Sequence, residues 1–209
     1  MSGTKRLVLW RHGQTIWNAE NRFQGQTDIP LNETGEAQAE RAARLLAALR
    51  PDRIFASDLS RAASTAGALA KVTGLPVTLD KDLRERSGGS WEGLTDVEIR
   101  ERYPEQRATW DPPDGETRAA VGERVSAALT RIADEISDGE LAVVASHGAA
   151  IRIGIERFLH LDETHPGVLG PLTNCSWSVL GSRRDGRWRL LEHSAGNLPE
   201  PVLGDDANS

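Results

Sequence analysis

Apolar runs that fit buried strands alternate along this chain with stretches that repeat apolar positions at helical spacing. The strand-like runs lie at residues 7–10, 53–57, 77–79 and 141–145. The first long stretch between them repeats apolar residues every three or four positions, at Ala39, Ala42, Ala43, Leu46 and Leu49. Strands that alternate with helices predict an α/β domain built on a mostly parallel sheet.

The first predicted helix follows a long connection. Residues 14–32 carry few periodic apolar positions, so we predict a loop there. Asn32 or Thr34 can accept a hydrogen bond from the first turn of a helix, and either residue can therefore begin the helix that reaches about Leu49.

Further capping signals define the next helices. Asp58 can cap a helix that ends at Gly74, a residue type favoured just past helix ends. Thr95 and Glu98 form a capping box at the start of a short helix, which Pro104 ends. The last two helices are predicted at about 117–136 and 149–159.

The C-terminal part is predicted to complete the sheet with a hairpin. Residues 104–116 hold three prolines and one glycine, which predicts a loop. The runs at 177–180 and 188–193 flank Asp185-Gly186, a dipeptide typical of tight hairpin turns. The whole pattern predicts a three-layer α/β/α sandwich whose mostly parallel central sheet contains one antiparallel strand.

Length, charge and cysteine content narrow the class of protein. A chain of 209 residues suits one α/β domain, which we predict over residues 1–198 with a disordered tail at 199–209. A net charge of −6 without a basic run argues against nucleic-acid binding. No segment approaches the ~20 apolar residues that cross a bilayer, and residues 1–6 are too few for a signal peptide. The single Cys175 permits no internal disulfide, which favours a reducing cytoplasm.

Polar motifs follow three of the predicted strands. Arg11-His12-Gly13 follows the first strand, Ser57 to Arg61 the second, and Ser146-His147-Gly148 the strand at 141–145. Open α/β sheets bind ligands at the carboxyl ends of their strands, so we expect these motifs to meet in one site. Several arginines accompany the motifs, and they make an anionic ligand compatible with an acidic protein: Arg11, Arg22, Arg61, Arg84 and Arg86.

Together with Glu85, these motifs resemble the histidine phosphatase superfamily, also called phosphoglycerate-mutase-like, in their order along the chain. The resemblance spans about residues 5–193. Trp10 departs from it, because the family usually has a smaller aliphatic residue before the first motif. The weaker matches are Trp17-Asn18, Phe23-Gln24-Gly25, Trp91-Glu92-Gly93-Leu94 and Gly115-Glu116-Thr117.

The resemblance implies a role for each motif residue in phosphoryl transfer. His12 is the expected nucleophile, which attacks phosphorus and forms a phosphohistidine. Arg11 and Arg61 are expected to bind the phosphate oxygens, and His147 to donate a hydrogen bond to them as charge develops. Glu85 is expected to protonate the leaving oxygen and then to deprotonate the attacking water.

Alternative roles are also consistent with the sequence at several of the motif residues. Asn18 and Gln24 lie where the family places substrate contacts, although amides are common in loops generally. Glu85 could instead form a surface ion pair with Arg84 or Arg86. Three tryptophans in predicted loops could form an apolar wall for part of the substrate or anchor those loops: Trp17, Trp91 and Trp110.

Three classes of function remain open: a phosphatase, a phosphoglycerate mutase and a phosphoester-binding scaffold. Mutases of the family carry paired arginines after the catalytic glutamate, whereas the corresponding region here has a lone Arg107. Gly25 to Asp28 is close to the phosphatase branches, and the presence of Glu85 disfavours a pure phosphate-binding protein. A metallohydrolase that uses His12, Glu85 and His147 would place arginines against the metal.

The sequence therefore predicts a phosphatase that needs neither a metal nor another cofactor. Its substrate is expected to be a small phosphate ester, either a sugar phosphate or a phosphoglycerate derivative. Residues 86–116 are expected to form the lid that selects the substrate. Related enzymes are often homodimers that pair through a sheet edge. The sequence is compatible with such a homodimer and leaves the oligomeric state open.

Overall fold

The computed structural model describes residues 4–162 and 164–196. Its sheet has six strands in the order β3-β2-β4-β1-β5-β6. The strands are β1 (Arg6–Arg11), β2 (Arg53–Ala56), β3 (Val77–Leu79), β4 (Leu141–Ser146), β5 (Trp177–Ser182) and β6 (Trp188–Ala195). β5 runs antiparallel to β1 and β6, and all other neighbours are parallel. The predicted mostly parallel sheet with one antiparallel strand is confirmed.

Seven helices lie in the described part of the chain, together with two 3-10 turns at Lys81–Leu83 and Gly89–Trp91. None of these helices has the length and apolar character that a membrane-spanning segment requires. The predicted tail at 199–209 lies outside the described residues. The helices are α1 (Ile16–Ala19), α2 (Glu33–Ala48), α3 (Ser60–Thr73), α4 (Asp96–Arg102), α5 (Pro104–Thr109), α6 (Arg118–Glu135) and α7 (Gly148–Phe158).

Alternation along β1 separates two hydrophobic cores. Leu7 and Leu9 belong to a core that includes apolar residues of α6 and α7, whereas Val8 and Trp10 pack with α2 and α3 on the opposite face. Trp10 is fully buried, and its indole N–H donates to the carbonyl of Cys175 over 3.2 Å. The large side chain therefore fits its layer without leaving a polar group unpaired.

The start of α3 differs from the prediction. Asp58 does not cap this helix, because its carboxylate accepts two hydrogen bonds of 2.7 Å from the guanidinium of Arg84. Ser60 donates its backbone N–H instead to Asp28, over 2.8 Å. A residue 32 positions away supplies the cap, and no local sequence rule identifies such a partner.

Three further predictions of local structure were wrong. The predicted loop at 104–116 begins with α5, because proline at the first helical position loses no hydrogen bond there. The predicted loop at 14–32 contains α1, which Thr15 begins with a capping box. Leu49 lies at the C-terminal cap of α2 and is 39% exposed, so it is not part of the buried stripe.

The topology brings the three polar motifs to one edge. β1 and β4 pair in parallel with Arg11 opposite Ser146, and β2 pairs with the other side of β4. The residues that follow these strands therefore emerge side by side at the carboxyl edge of the sheet.

Candidate active site

His12 and His147 lie together at the carboxyl edge of the sheet, with ring centroids 5.2 Å apart and both rings buried. A cleft opens beside them, and its wall includes five of the seven expected site residues: Arg11, His12, Gln24, Arg61 and Glu85. His147 reaches this group through its contact with His12, whereas Asn18 does not line the cleft. The fold thus brings the sequence motifs to one place.

The local hydrogen bonds of His12 define its tautomer. Its Nδ1 lies 2.7 Å from the carbonyl oxygen of Gly13, and since a carbonyl only accepts, Nδ1 carries the proton. Burial, with the charges of Arg61 and Arg11, holds the pKa of His12 well below its ordinary value. His12 is therefore neutral at neutral pH, with the lone pair on Nε2.

The backbone around His12 is held by close packing. A Cβ on Gly13 would lie 2.4 Å from the carbonyl oxygen of Gly35, so only glycine permits this approach to α2. The carbonyl of His12 accepts from the amide of Cys175 over 3.2 Å and from the side chain of Asn174 over 3.1 Å. The side-chain amide of Asn174 therefore helps to position the histidine.

Arg61 lies in the first turn of α3 and is fully buried. Its terminal nitrogens donate to the carbonyls of Gly25 and Thr27 over 2.7 and 2.8 Å, and its Nε donates to His147. Burial lowers the pKa of Arg61 to about 10, although Glu85 and other carboxylates oppose this shift. The guanidinium therefore remains charged at neutral pH, and these contacts use three of its five N–H groups.

The tautomer of His147 is opposite to that of His12. Nδ1 accepts from Nε of Arg61 over 3.2 Å, and Nε2 lies 2.9 Å from the hydroxyl of Ser57. Burial, followed by the charges of Arg61 and His12, lowers the pKa of His147 well below its ordinary value. The neutral ring therefore carries its proton on Nε2, where it can serve as a donor.

Glu85 caps the N-terminus of α7. Its carboxylate accepts from the backbone amides of Ala149 and Ala150 over 3.1 and 2.9 Å, and also from the amide of Arg86. His147, the residue at the cap position of α7, supplies no side-chain cap of its own. The positive end of the helix dipole stabilises the negative charge of Glu85 beside the two histidines.

Glu85 does not form the alternative surface ion pair with Arg84 or Arg86. Arg84 pairs with Asp58 at 2.7 Å, and Arg86 pairs with Asp111 at 2.6 Å. Both guanidinium groups are thus directed to other carboxylates. Glu85 instead lines the cleft, and its carboxylate accepts hydrogen bonds from backbone amides.

Asn18 and Gln24 are both buried and are joined through Thr15. The Thr15 hydroxyl lies 3.1 Å from Oδ1 of Asn18 and 3.0 Å from Oε1 of Gln24. Two buried donors at this edge have no acceptor among the described residues: Nδ2 of Asn18 and Nε of Arg11. Buried donors without acceptors are costly, by about 1–3 kcal/mol each, and an anion would satisfy them.

The outer wall of the cleft combines aromatic and cationic groups. Phe23 and Trp110 line it and lie 6.2 Å apart between ring centroids. Trp91 is fully buried and packs 5.3 Å from Trp110, while Trp17 lies over Gly93. Of the three tryptophans considered for an apolar wall, Trp110 lines the cleft itself.

Sequence reasoning missed three residues of this outer wall: Arg118, Arg152 and Ile153. Arg118 begins α6 directly after the weak Gly115-Glu116-Thr117 match, and the other two lie on α7, within five residues of Gly148. One signal was present for Arg118, because an arginine at the first position of a helix opposes the dipole. Within residues 4–162 and 164–196, no group of three or more His, Cys, Asp and Glu side chains is arranged to hold a metal ion.

Comparison with known proteins identifies the family of this chain. A model of the histidine phosphatase superfamily (branch 1) matches residues 7–195. A glucosyl-3-phosphoglycerate phosphatase of Mycolicibacterium vanbaalenii is 38% identical over 208 residues, which cover 89% of this chain and 92% of that protein. A metal-independent phosphoserine phosphatase of Arabidopsis thaliana is 36% identical over 197 residues, which cover 90% of this chain and 80% of that protein.

A solved structure shows the same fold. The structure of a mycobacterial glucosyl-3-phosphoglycerate phosphatase in complex with VO3 superimposes with a TM-score of 0.86. The two sequences are 37% identical, and the superposition covers 91% of this chain and 99% of the other chain. The chain therefore belongs to the histidine phosphatase superfamily.

Proposed function

We propose that this protein is a metal-independent phosphomonoester hydrolase that works through a phosphohistidine at His12. The observation that carries the proposal is the tautomer of His12. Its Nδ1 is protonated and bonded to Gly13, and burial keeps the ring neutral, so Nε2 presents a lone pair at the cleft. A nucleophile in this state needs no separate base to remove a proton.

The phosphate would be bound by cationic and amide donors around His12. Arg11 and Arg61 supply two buried positive charges, and a guanidinium can bridge two phosphate oxygens. The unsatisfied Nε of Arg11 would find an acceptor in the same group, whereas Asn18, which does not line the cleft, would act through Thr15 and Gln24. These donors reduce the charge that would otherwise repel the attacking nitrogen.

The first step joins His12 to phosphorus. Nε2 attacks, the bond between phosphorus and the ester oxygen breaks, and the leaving oxygen takes a proton from the carboxylic acid form of Glu85. His147 would donate from Nε2 to the phosphoryl oxygens as their charge grows, and for this the imidazole ring must rotate so that its Nε2–H leaves Ser57 and faces the phosphate.

The second step returns the enzyme to its starting state. Glu85, now a carboxylate, removes a proton from water, which attacks phosphorus as the bond to Nε2 breaks. The products are inorganic phosphate and neutral His12. The backbone donors that hold Glu85 at the start of α7 suit its negative form, which is the form this step requires.

The proposed substrate is a small phosphorylated metabolite, either a sugar phosphate or a phosphoglycerate derivative. Phe23 and Trp110 offer flat apolar surface beside cationic groups, which suits a sugar ring that carries an anion. The sequence pattern resembles that of glucosyl-3-phosphoglycerate phosphatases, and a relative of that name is 38% identical. Glucosyl-3-phosphoglycerate is therefore the first substrate to test.

We also propose that residues 1–198 form one domain and that the protein acts in the cytoplasm without binding nucleic acid. A single free cysteine and the net charge of −6 support these proposals. A homodimer through a sheet edge remains the proposed assembly, which sedimentation of the purified protein would test.

A screen of phosphorylated metabolites tests the function directly. The purified protein should release phosphate from glucosyl-3-phosphoglycerate or a related ester in saturating EDTA, and vanadate should inhibit it. If EDTA abolishes turnover and zinc or magnesium restores it, the metal-independent mechanism is wrong. If no phosphomonoester is hydrolysed, the proposed activity itself is wrong.

A further inference from the structure

Arg118 lines the outer wall of the cleft, and the proposed chemistry at His12 does not require it. It is the first residue of α6, where its charge opposes the positive end of the helix dipole. A local rule broken at the wall of a cleft often marks a functional position.

Glu156 of α7 holds Arg118 in this unfavourable place. The Glu156 side chain is 1% exposed, and it accepts from the amides of Gly167 and Leu169 over 3.1 and 3.2 Å as well as from Arg118. The Arg118 side chain is 40% exposed. One terminal nitrogen is thus anchored on a buried carboxylate, while the remaining N–H groups of the guanidinium can bind an anion in the cleft.

The position of Arg118 relative to Glu85 defines what it could bind. Glu85 bonds to the amide of Ala149 at the start of α7, and Glu156 lies seven residues further along that helix. Seven residues rise by about 10 Å along a helix, so the residue that anchors Arg118 lies roughly two turns from the helix start that holds Glu85, the proposed proton donor. Arg118 lines the same cleft as Phe23 and Trp110, which are the residues proposed to contact the alcohol part of the substrate.

We propose that Arg118 is a specificity-determining residue that binds a carboxylate on the alcohol part of the substrate. A guanidinium matches the planar geometry of a carboxylate. Such a cation would also offset the repulsion between that group and Glu85. The inference rests on the proposed function, and it names phosphorylated hydroxy acids as the preferred class of substrate.

Two esters that differ in one group test this inference. 3-Phosphoglycerate and glycerol 3-phosphate are both primary alkyl phosphates, and only the first carries a carboxylate. The variant should remove both charges, as R118Q together with E156Q, because Glu156 alone would be a buried carboxylate without its cation. The readout is the ratio of kcat/KM for the two esters, since the fraction of folded enzyme cancels from it.

The wild-type protein should prefer 3-phosphoglycerate, and the double variant should lose that preference by about 10-fold or more. R131Q is the matched control, because Arg131 is an ion-paired arginine near the other end of α6, and its ratio should equal that of the wild type. If the wild-type protein fails to hydrolyse even an aryl phosphate, the proposed function fails. If it hydrolyses the aryl phosphate but shows no preference for the carboxylate, or if the double variant keeps the wild-type ratio, only the inference about Arg118 is overturned.

Discussion

Arg61 donates from Nε to Nδ1 of His147 over 3.2 Å, and this contact determines which nitrogen of the histidine carries the proton. A guanidinium can only donate, so Nδ1 must accept and the proton stays on Nε2. Arg61 therefore has a role beyond the phosphate binding proposed for it. It prepares His147 as a donor and also ties the 25–27 loop to the cleft through two carbonyls.

The variant Arg61→Lys should lose kcat/KM by about 10² or more, although it keeps the positive charge. A lysine ammonium cannot span His147 and two carbonyls together. Nitrogen NMR of His147 should report a mixture of tautomers in this variant and a single Nε2-protonated form in the wild type. Arg44→Lys changes an exposed arginine on α2 in the same way and should keep full activity. Activity of Arg61→Lys within tenfold of the wild type would contradict this role.

The two buried histidines should make stability depend on pH. In the folded protein the pKa values of His12 and His147 lie well below 6.5, so between those values and 6.5 the unfolded chain binds more protons. Stability should therefore be full above pH 6.5 and fall as the pH drops below it. Each histidine contributes up to about 1.4 kcal/mol of this loss between pH 7.5 and 5.5.

Denaturant unfolding at these two pH values, without phosphate in the buffer, measures the effect. The double variant His12→Asn/His147→Asn should lose most of the dependence. His165→Asn removes an exposed histidine and should retain it. A wild-type protein that is equally stable at both pH values, or more stable at pH 5.5, would show that the histidines are not held neutral by burial.

Most of the fold could be predicted because its signals are local. Apolar runs defined the strands, and Asn32 and Thr95 began helices with their own side chains, as predicted. The errors arose where distant residues decide the local structure. Asp58 has the character of a helix cap, yet Arg84 lies close enough in the fold to pair with it, and Asp28 takes over the cap.

The residues of the candidate site also fall into those that local signals identify and those that only tertiary contacts place. Residues at strand ends, such as His12 and His147, could be identified because the topology of a parallel sheet brings strand ends together. The contact between Glu85 and the start of α7 could not be predicted from the sequence. Glu85 and Ala150 are 65 residues apart and meet only in the folded protein. Arg118 lies outside every recognised motif, and its place in the cleft depends on a buried partner on another helix.

Phosphate release should exceed isomerisation when the protein is given 3-phosphoglycerate. Arg107, the lone arginine in the region where mutases have a pair, bonds to Asp96 at 2.5 Å and lies over the ring of Trp110 at 4.5 Å. Its contacts lie within residues 86–116, the expected lid, and it does not line the cleft. Following free phosphate and 2-phosphoglycerate in one reaction measures both outcomes. Efficient isomerisation with a bisphosphoglycerate primer and little free phosphate would identify a mutase.

The last prediction separates the nucleophile from the proton donor. His12→Ala should abolish turnover and also the acid-labile phosphoryl label on the enzyme, because no other group would form the bond to phosphorus. Glu85→Gln should slow hydrolysis of alkyl esters by roughly 10²–10⁴, since an amide cannot deliver a proton to a poor leaving group. An aryl phosphate needs little protonation, so its first step should be much less affected.

The substitution Glu85→Gln should also destabilise the folded protein. The carboxylate accepts three backbone N–H groups, and the amide nitrogen of glutamine would face at least one of them as a second donor. The folded fraction must therefore be measured, and the Glu85→Gln rates corrected for it. With an aryl substrate the corrected variant should show a burst of phenol followed by slow turnover, because the phosphoenzyme forms but no base activates water. A His12→Ala protein that is still labelled, or a Glu85→Gln protein equally fast on alkyl esters, would show that these roles are misassigned.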